Sequence, residues 1–387
     1  MDRYLLVHYE FPEGVDPVRH GTMLAIGQTI GSYHPGDSGR FSPYMGVLEE
    51  TVLLESGRSR ARVRYPLDNI SGDIGSLLVM ILGKYSLAGP VRVVSVDLPP
   101  SYGTPCRFGL SGIRTITGVQ DRALLMGIFK PALGLAPRDF ADILREVGEA
   151  GLDLIKDDEI LPDTPTSTAL ERVQACRPVI DEIKRSTGRE ILYAVTLSGR
   201  ADRLIDQAMR LRDAGANAYL LSPLAYGYSV LEALAARPET ALPIFAHPAM
   251  AGALGGSRDY GFDYSVLLGT FMVHGGADAV LYPTSAGNLP VDPETERSIR
   301  LILQSSGVAP VPSAGVHPGA IARFLDPGDH GVILNAGTSI MDHPMGPGNG
   351  VKAFHEAFLR LKNRESMDPT LIPDGPLRQA ILKWGAS

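Results

Sequence analysis

The positions of apolar and polar residues fall into two successive patterns. Through about residue 115, short segments alternate apolar with polar, as in YLLVHYEF, RARVRYPL and VRVVSVDLP. A period of two puts one face of a strand inside and the other outside. Helical segments are interleaved with them, notably IGSLLVMILGKYSLAG, so the pattern predicts an α+β domain over residues 1–121. From about Arg122 the pattern becomes a repeating unit of short apolar strand, loop and amphipathic helix. The predicted strands are LLMGIF, LDLIKDD, ILYAVTL, AYLLS, LPIFAH, DAVLYP, APVPS and GVILNA. Between them, stretches such as RDFADILREVGEAG, ADRLIDQAMRLRDAGA, PETERSIRLILQSS and NGVKAFHEAFLRLK carry apolar residues near i, i+3, i+4 and i+7. Eight such units predict a (β/α)8 TIM barrel over residues 122–387, ending in a helical tail; an open doubly wound sheet is the competing layout.

Composition narrows the class of partner. With 387 residues, 44% of them hydrophobic, the chain can bury a large core and is expected to be a soluble globular protein. A net charge of −7 without a lysine or arginine cluster favours a small molecule over a nucleic acid. Two cysteines, Cys106 and Cys176, do not make a disulfide framework and fit the cytoplasm. No signal peptide is expected in MDRYLLVHYEF, and no run approaches the roughly 18 apolar residues of a membrane span.

In a barrel the residues at the C-terminal ends of the strands converge on one site. Those positions form a coherent polar set: Lys130, the KDDE run from Lys156 to Glu159, Thr196 with Ser198, His247, Ser313, and Asn335 to Thr338. Alternation along the strand sends Lys156 and Asp158 to one side and Asp157 to the other, and Glu159 can rejoin the first pair where the chain bends. Two carboxylates and a third oxygen would suit Mg2+. A lysine ammonium cannot be that third ligand. The plainer reading of KDDE is a structural salt-bridge cluster.

The run gains meaning from its context. KDDE, FKPALGL (Phe129 to Leu135), AHPAM (Ala246 to Met250), PSAGVHPG (Pro312 to Gly319) and NAGT (Asn335 to Thr338) occur in order at barrel spacing. Together they resemble the large subunit of ribulose-bisphosphate carboxylase over nearly the whole chain. The resemblance implies that Lys156 reacts with CO2 to give a carbamate, an anionic oxygen ligand that completes a Mg2+ site with Asp158 and Glu159. It also implies that His247, Ser313, Gly315, Gly337 and Thr338 contact the substrate.

Departures from the carboxylase pattern point to one branch of that family. The loop after the sixth barrel strand reads YPTSAGNLPVD, with Asn288 where a carboxylase has the lysine that polarises CO2. Ala132 replaces the second lysine of a KPK motif, and His247 is followed by Pro248 rather than arginine. The chain is similar to the RuBisCO-like proteins of form IV. Within them FGLSGIR, DRALLMGIFK, LYAVTLSGR and LIKDDEIL look like the 2,3-diketo-5-methylthiopentyl-1-phosphate enolases of methionine salvage. Their glycine-rich phosphate cradle here reads NAGTSIMDHPMG, with Thr338 and Ser339 in place of glycines.

ILGKYSLAG resembles the stretch carrying that family's catalytic lysine, which maps to Lys84. The resemblance then implies a homodimer, or a higher even oligomer, in which Lys84 serves a neighbouring subunit's barrel. Such a protein enolises by taking a proton beside a carbonyl. Lys84 is the expected base and Lys130 the group that steadies the enolate oxygen, with the two roles exchangeable. The competing readings are a form IV isomerase or decarboxylase of another sugar-derived phosphate, and a binding protein without activity. His317 and His343 read as structural, and Trp384, the only tryptophan, as a packing anchor.

Overall fold

The computed structural model describes residues 3–32, 34, 36, 38–287 and 291–386. Four strands form the amino-terminal sheet: β1 (Tyr4–Phe11), β2 (Val47–Leu53), β3 (Ser59–Pro66) and β4 (Val91–Asp97). The apolar half of each alternating segment faces inward, with Leu5, Val7, Tyr9 and Phe11 buried from β1 and Ala61, Val63 and Tyr65 from β3. Strand β2 lies at the sheet edge with most of its side chains exposed. That exposure explains why its VLEETVL carried no clear period in the sequence.

The strand-helix repeat closes into a barrel. Its strands are β5 (Leu124–Ile128), β6 (Leu154–Lys156), β7 (Leu192–Thr196), β8 (Ala218–Leu221), β9 (Ile244–Ala246), β11 (Ala279–Pro283), β12 (Ala309–Ser313) and β13 (Ile333–Ala336). All neighbours are parallel, and β9 pairs with β11 to shut the ring, so the open sheet is not adopted. One further strand, β10 (Tyr260–Phe262), leaves the barrel and pairs with β4, giving a five-stranded sheet in the order β10-β4-β1-β3-β2. One segment of barrel chain is thereby stitched into the amino-terminal sheet. No helix among the described residues is long and apolar enough to cross a membrane.

Register decides what fills the barrel. Leu124 and Met126, Leu154, Leu192 and Ala194, Ala218 and Leu220, Phe245, Ala279 and Leu281, Ala309 and Val311, and Ile333 form one apolar cluster inside it. The helix Gly109–Thr117 closes the N-terminal floor, adding Ile113 to the same cluster. Buried Asp278 holds the start of that helix. Its Oδ1 accepts from the backbone N–H groups of Arg107 and Gly109 at 3.0 Å, and its Oδ2 accepts from that of Ile244 at 2.9 Å. Burial raises the Asp278 pKa, against the pull of those N–H groups. Removing the carboxylate leaves several buried donors without partners, each costing about 1–3 kcal/mol. We expect Asp278→Ala to lower the unfolding free energy by roughly 3 kcal/mol or more, read from urea denaturation.

Candidate active site

The alternation that makes the barrel interior apolar turns polar at its last inward step. Two residues beyond Met126, Leu154, Ala194, Phe245, Leu281, Val311 and Ile333 stand Ile128, Lys156, Thr196, His247, Pro283, Ser313 and Asn335. Six of these seven line one cavity of about 1000 Å³ at the C-terminal mouth, Thr196 being the exception. Lys130, Asp158, Glu159, Gly315, Gly337 and Thr338 line it as well.

Lys156 is 1% exposed, one of the large side chains the fold buries completely. Its Nζ donates to the Asp157 carbonyl at 3.0 Å and lies 3.8 Å from Glu159 Oε2. Burial lowers its pKa, only partly opposed by the charges of Glu159, Asp158 and Asp157. The lysine is thus biased toward the neutral amine. Burial alone would raise Asp158, but its hydrogen bond with Glu159 and the charges of Lys156 and Lys130 hold it below the usual carboxylate range. Glu159 is pushed up by burial against the pull of Lys156, so the two carboxyls differ in proton affinity. Lys130 extends from β5 and places Nζ 3.2 Å from Asp158 Oδ2. Glycine at 337 leaves room for its stem, since a Cβ there would come 3.3 Å from Lys130 Cε.

Asp157 points the other way, into the layer between strands and helices. It accepts from Tyr193 Oη at 2.7 Å, from the Thr196 N–H at 3.0 Å and from Arg172 at 3.1 Å. Asp157 and Arg172 are both completely buried. This network fixes the backbone from which Lys156 and Asp158 reach the mouth. The Thr196 hydroxyl lies 3.4 Å from the Asp158 carbonyl and packs behind the site.

His247 is held in one tautomer. Its Nδ1 accepts from the Ala249 N–H at 3.2 Å, so the proton sits on Nε2, which faces Glu159 Oε2 at 3.2 Å. Ser313 donates to the Val311 carbonyl and accepts from Asn335 Nδ2, both at 3.1 Å. Gly315 adopts φ +71°, and a Cβ there would meet the Ala286 carbonyl at 2.5 Å. Only glycine fits that turn. Ser339 is buried and bonds the Val316 carbonyl at 2.7 Å, tying the loops after β12 and β13 together, while Thr338 stays exposed on the cavity.

Of the candidate catalytic, metal and substrate residues, Lys84 alone does not line this mouth; Ser198 of the converging set does not line it either. Lys84 lies exposed on the short helical turn Gly83–Leu87 of the amino-terminal domain and does not line the cavity of its own chain. Asn288 falls outside the described residues. His343 bonds the Pro376 carbonyl at 2.9 Å and is structural, whereas His317 and Trp384 both line the cavity. The sequence reads Trp384 as a packing anchor, because nothing local places a tail residue over a barrel mouth. It places Asn335 in the converging polar set without a role of its own, and the structure shows it lining the cavity and donating to Ser313 Oγ at 3.1 Å.

A parallel (β/α)8 barrel with a buried lysine between carboxylates at its C-terminal mouth defines the class. The catalytic-domain profile of the ribulose bisphosphate carboxylase large chain matches residues 109–381. A 2,3-diketo-5-methylthiopentyl-1-phosphate enolase from Microcystis aeruginosa is 53% identical over 386 residues, covering 98% of this chain and 100% of that one. The crystal structure of a rubisco-like protein from Alicyclobacillus acidocaldarius matches with a TM-score of 0.91 at 33% identity, covering 100% of both chains. Octameric ribulose-1,5-bisphosphate carboxylase/oxygenase from Pyrococcus horikoshii matches with a TM-score of 0.87 at 25% identity, over 99% of this chain and 94% of that one. The chain belongs to the ribulose-bisphosphate carboxylase large-chain family.

The buried histidines carry a pH signature. Burial, with the charge of Lys156, pushes His247 down to about 3. Burial likewise lowers His317, His343 and His355. An unfolded histidine titrates near about 6.5. Between these values the unfolded chain binds protons that the folded chain does not, so the stabilisation is complete above about pH 6.5 and is lost as pH falls toward 3. We expect the denaturation midpoint to drop from about pH 7 to about pH 4, and His247→Gln to flatten part of that slope.

Proposed function

We propose that the chain is a Mg2+-dependent enolase that removes a proton beside a carbonyl of 2,3-diketo-5-methylthiopentyl-1-phosphate, and that it does not fix CO2. One observation carries the reading: a buried lysine with a lowered pKa sits beside two carboxylates and a second lysine in a single barrel mouth. The full-length identity to a named enolase of that substrate supports it.

Among the described residues no group of three or more His, Cys, Asp and Glu side chains is set to hold a metal. Asp158 and Glu159 supply two carboxylates, and an ammonium at Lys156 would repel a cation. The residues fit Mg2+ once Lys156 is a carbamate; the unprotonated amine is the form that attacks CO2, and burial shifts Lys156 in that direction. Mg2+ held by the Lys156 carbamate, Asp158 and Glu159 would supply Lewis-acid polarisation of the substrate's carbonyl oxygens. Asp157, locked by Arg172 and Tyr193, keeps the three ligands aimed at one spot. His247, neutral and fixed by the Ala249 N–H, offers an Nε2–H donor to substrate oxygen in exchange for Glu159. Lys130 reaches the same space from β5 and steadies negative charge on the enolate oxygen. Ser313, Gly315, Gly337 and Thr338 bind the phosphate through backbone N–H groups and a hydroxyl.

In this reading Lys84 is the base and acts in the cavity of a partner subunit, because its exposed position lies away from the mouth of its own barrel. The assembly is a homodimer or a higher even oligomer in the cytoplasm. The octameric Pyrococcus horikoshii relative is a precedent for self-association on this fold.

With Mg2+ and bicarbonate, the protein should catalyse deuterium exchange at C1 of the diketo phosphate, and it should take up no labelled CO2 from ribulose bisphosphate. Lys156→Ala should reduce exchange at least ~10²-fold and abolish activation by bicarbonate. Label uptake, or an alanine variant with full metal-dependent turnover, would overturn the reading.

Shared sites predict complementation. Lys84→Ala and Asp158→Ala proteins, each inactive alone, should regain part of the activity after subunit exchange, since some mixed dimers hold one intact site. Verified mixed dimers without activity would rule out a base delivered from the partner.

A further inference from the structure

The carboxy-terminal helix Pro376–Trp384 is docked on the two loops that form one corner of the mouth. His343 Nδ1 accepts from the Met345 N–H at 3.1 Å, which leaves the proton on Nε2 to donate to the Pro376 carbonyl at 2.9 Å. At the other end of the helix, Lys383 Nζ donates to the Asp342 carbonyl. The chain beyond it runs so close to the loop after β12 that a Cβ on Gly319 would lie 2.1 Å from the Gly385 carbonyl. These contacts fix the last helical residue, Trp384, whose ring lies 6.2 Å from that of His343 and 4.8 Å from Lys383 Nζ. Trp384 is half-buried and lines the cavity together with Gly315, Gly337 and Thr338.

The anchors at His343, Asp342 and Gly319 fall on the loops after β12 and β13, while the Leu377 N–H donates to Glu356 of the helix Pro347–Lys362 at 3.3 Å. The loops after β12 and β13 are those from which (β/α)8 barrels commonly build a phosphate site. In the ring, β5 stands between β13 and β6, which carries Lys156. An indole has one polar atom, the Nε1–H, and it can only donate. Among the described residues no group accepts from Trp384 Nε1. A packing role alone would use the ring's apolar faces and would not require the residue to form part of the cavity wall. Gly315, Gly337, Thr338 and Trp384, which line the cavity from these loops and the tail, can each supply an N–H or O–H donor. Their shared complement is an anion rich in acceptors.

We propose that Trp384 is a substrate-contacting residue, its indole walling the phosphate corner and its Nε1–H donating to the substrate's phosphate. This rests on the phosphorylated substrate inferred above and extends it to the tail of the chain. A hydrogen bond to a charged acceptor is worth about a tenfold change in affinity or more.

The experiment uses inorganic phosphate as probe and Trp384 as reporter, since it is the only tryptophan of the chain. Phosphate should change the tryptophan emission saturably, at concentrations matching calorimetric binding, whereas chloride at equal ionic strength should not. Trp384→Phe keeps an aromatic ring against His343 but removes the donor. It should weaken phosphate binding about tenfold and raise KM for the diketo phosphate by a similar factor, with kcat and Tm little changed. Calorimetric phosphate binding without an emission change, no phosphate binding at all, or unchanged affinity in Trp384→Phe would overturn the proposal. Failure of the enolase reading would look different: wild-type protein would not exchange the diketo phosphate, while the emission change and the Trp384→Phe loss of phosphate affinity persisted.

Discussion

A lysine amine without water is the constraint around which this mouth is organised. Lys156 stands at the final inward position of β6, directly above Leu154 in the apolar barrel interior. A buried ammonium is costly, and a protein can meet that cost by pairing the charge or by giving up the proton. This site does some of each. Glu159 and Asp158 lie on the cavity side, and the Asp157 carbonyl accepts from Nζ, yet burial still outweighs them and lowers the pKa. The same carboxylates are partial counter-charges for the amine and, under the carbamate proposed above, would become oxygen donors to a metal.

The opposite end of the barrel is built from similar chemistry with a different outcome. Asp153 and Asp278 are buried at the N-terminal floor, but every oxygen of theirs meets N–H groups. Asp153 accepts from Arg122 at 2.8 Å and from the Leu125 N–H at 2.9 Å, and Asp278 gathers the turn into the helix Gly109–Thr117. Saturated carboxylates rigidify and have no capacity left for a ligand. At the mouth, the Asp158 and Glu159 side chains line the cavity and, besides each other, meet Lys130, Lys156 and His247 at 3.2–3.8 Å. Stability and reactivity are thus separated along one barrel axis by how completely each acid is satisfied.

Much of this could be read from the sequence because periodicity reports burial. All eight barrel strands are short apolar runs set between loops and amphipathic helices, a repeat that only burial in a sheet explains. The direction of Asp157 followed from the same alternation and is seen in its bonds to Arg172, Tyr193 and Thr196. What could not be read was whatever depends on distant closure. β10 has three residues and pairs with β4 through a contact 169 positions away at Tyr260 and Val91. β2 is an exposed edge without a buried face. Trp384 reaches the mouth only because His343, Lys383 and Gly319 dock its helix. None of these leaves a local trace in hydrophobic pattern.

The stitching of β10 into the amino-terminal sheet gives that domain mechanical access to the mouth of its own barrel. Arg92 on β4 bonds Asp263 at 3.2 Å, and Arg58 bonds Asp259 at 2.7 Å, so charged clamps hold both ends of β10. The segment they hold joins the helix Ala251–Gly255 to Tyr264, and Ala251, Gly252 and Tyr264 are part of the cavity wall. A rigid amino-terminal domain therefore shapes one side of its own pocket while its Lys84 turn stays exposed elsewhere. In the assembly proposed here, each amino-terminal domain would serve two sites at once, as wall for one and as source of the base for the other. Because one sheet carries both features, a shift of that sheet could not adjust one site without displacing a group in the other, which is a physical reason for such subunits to stay in a fixed dimer.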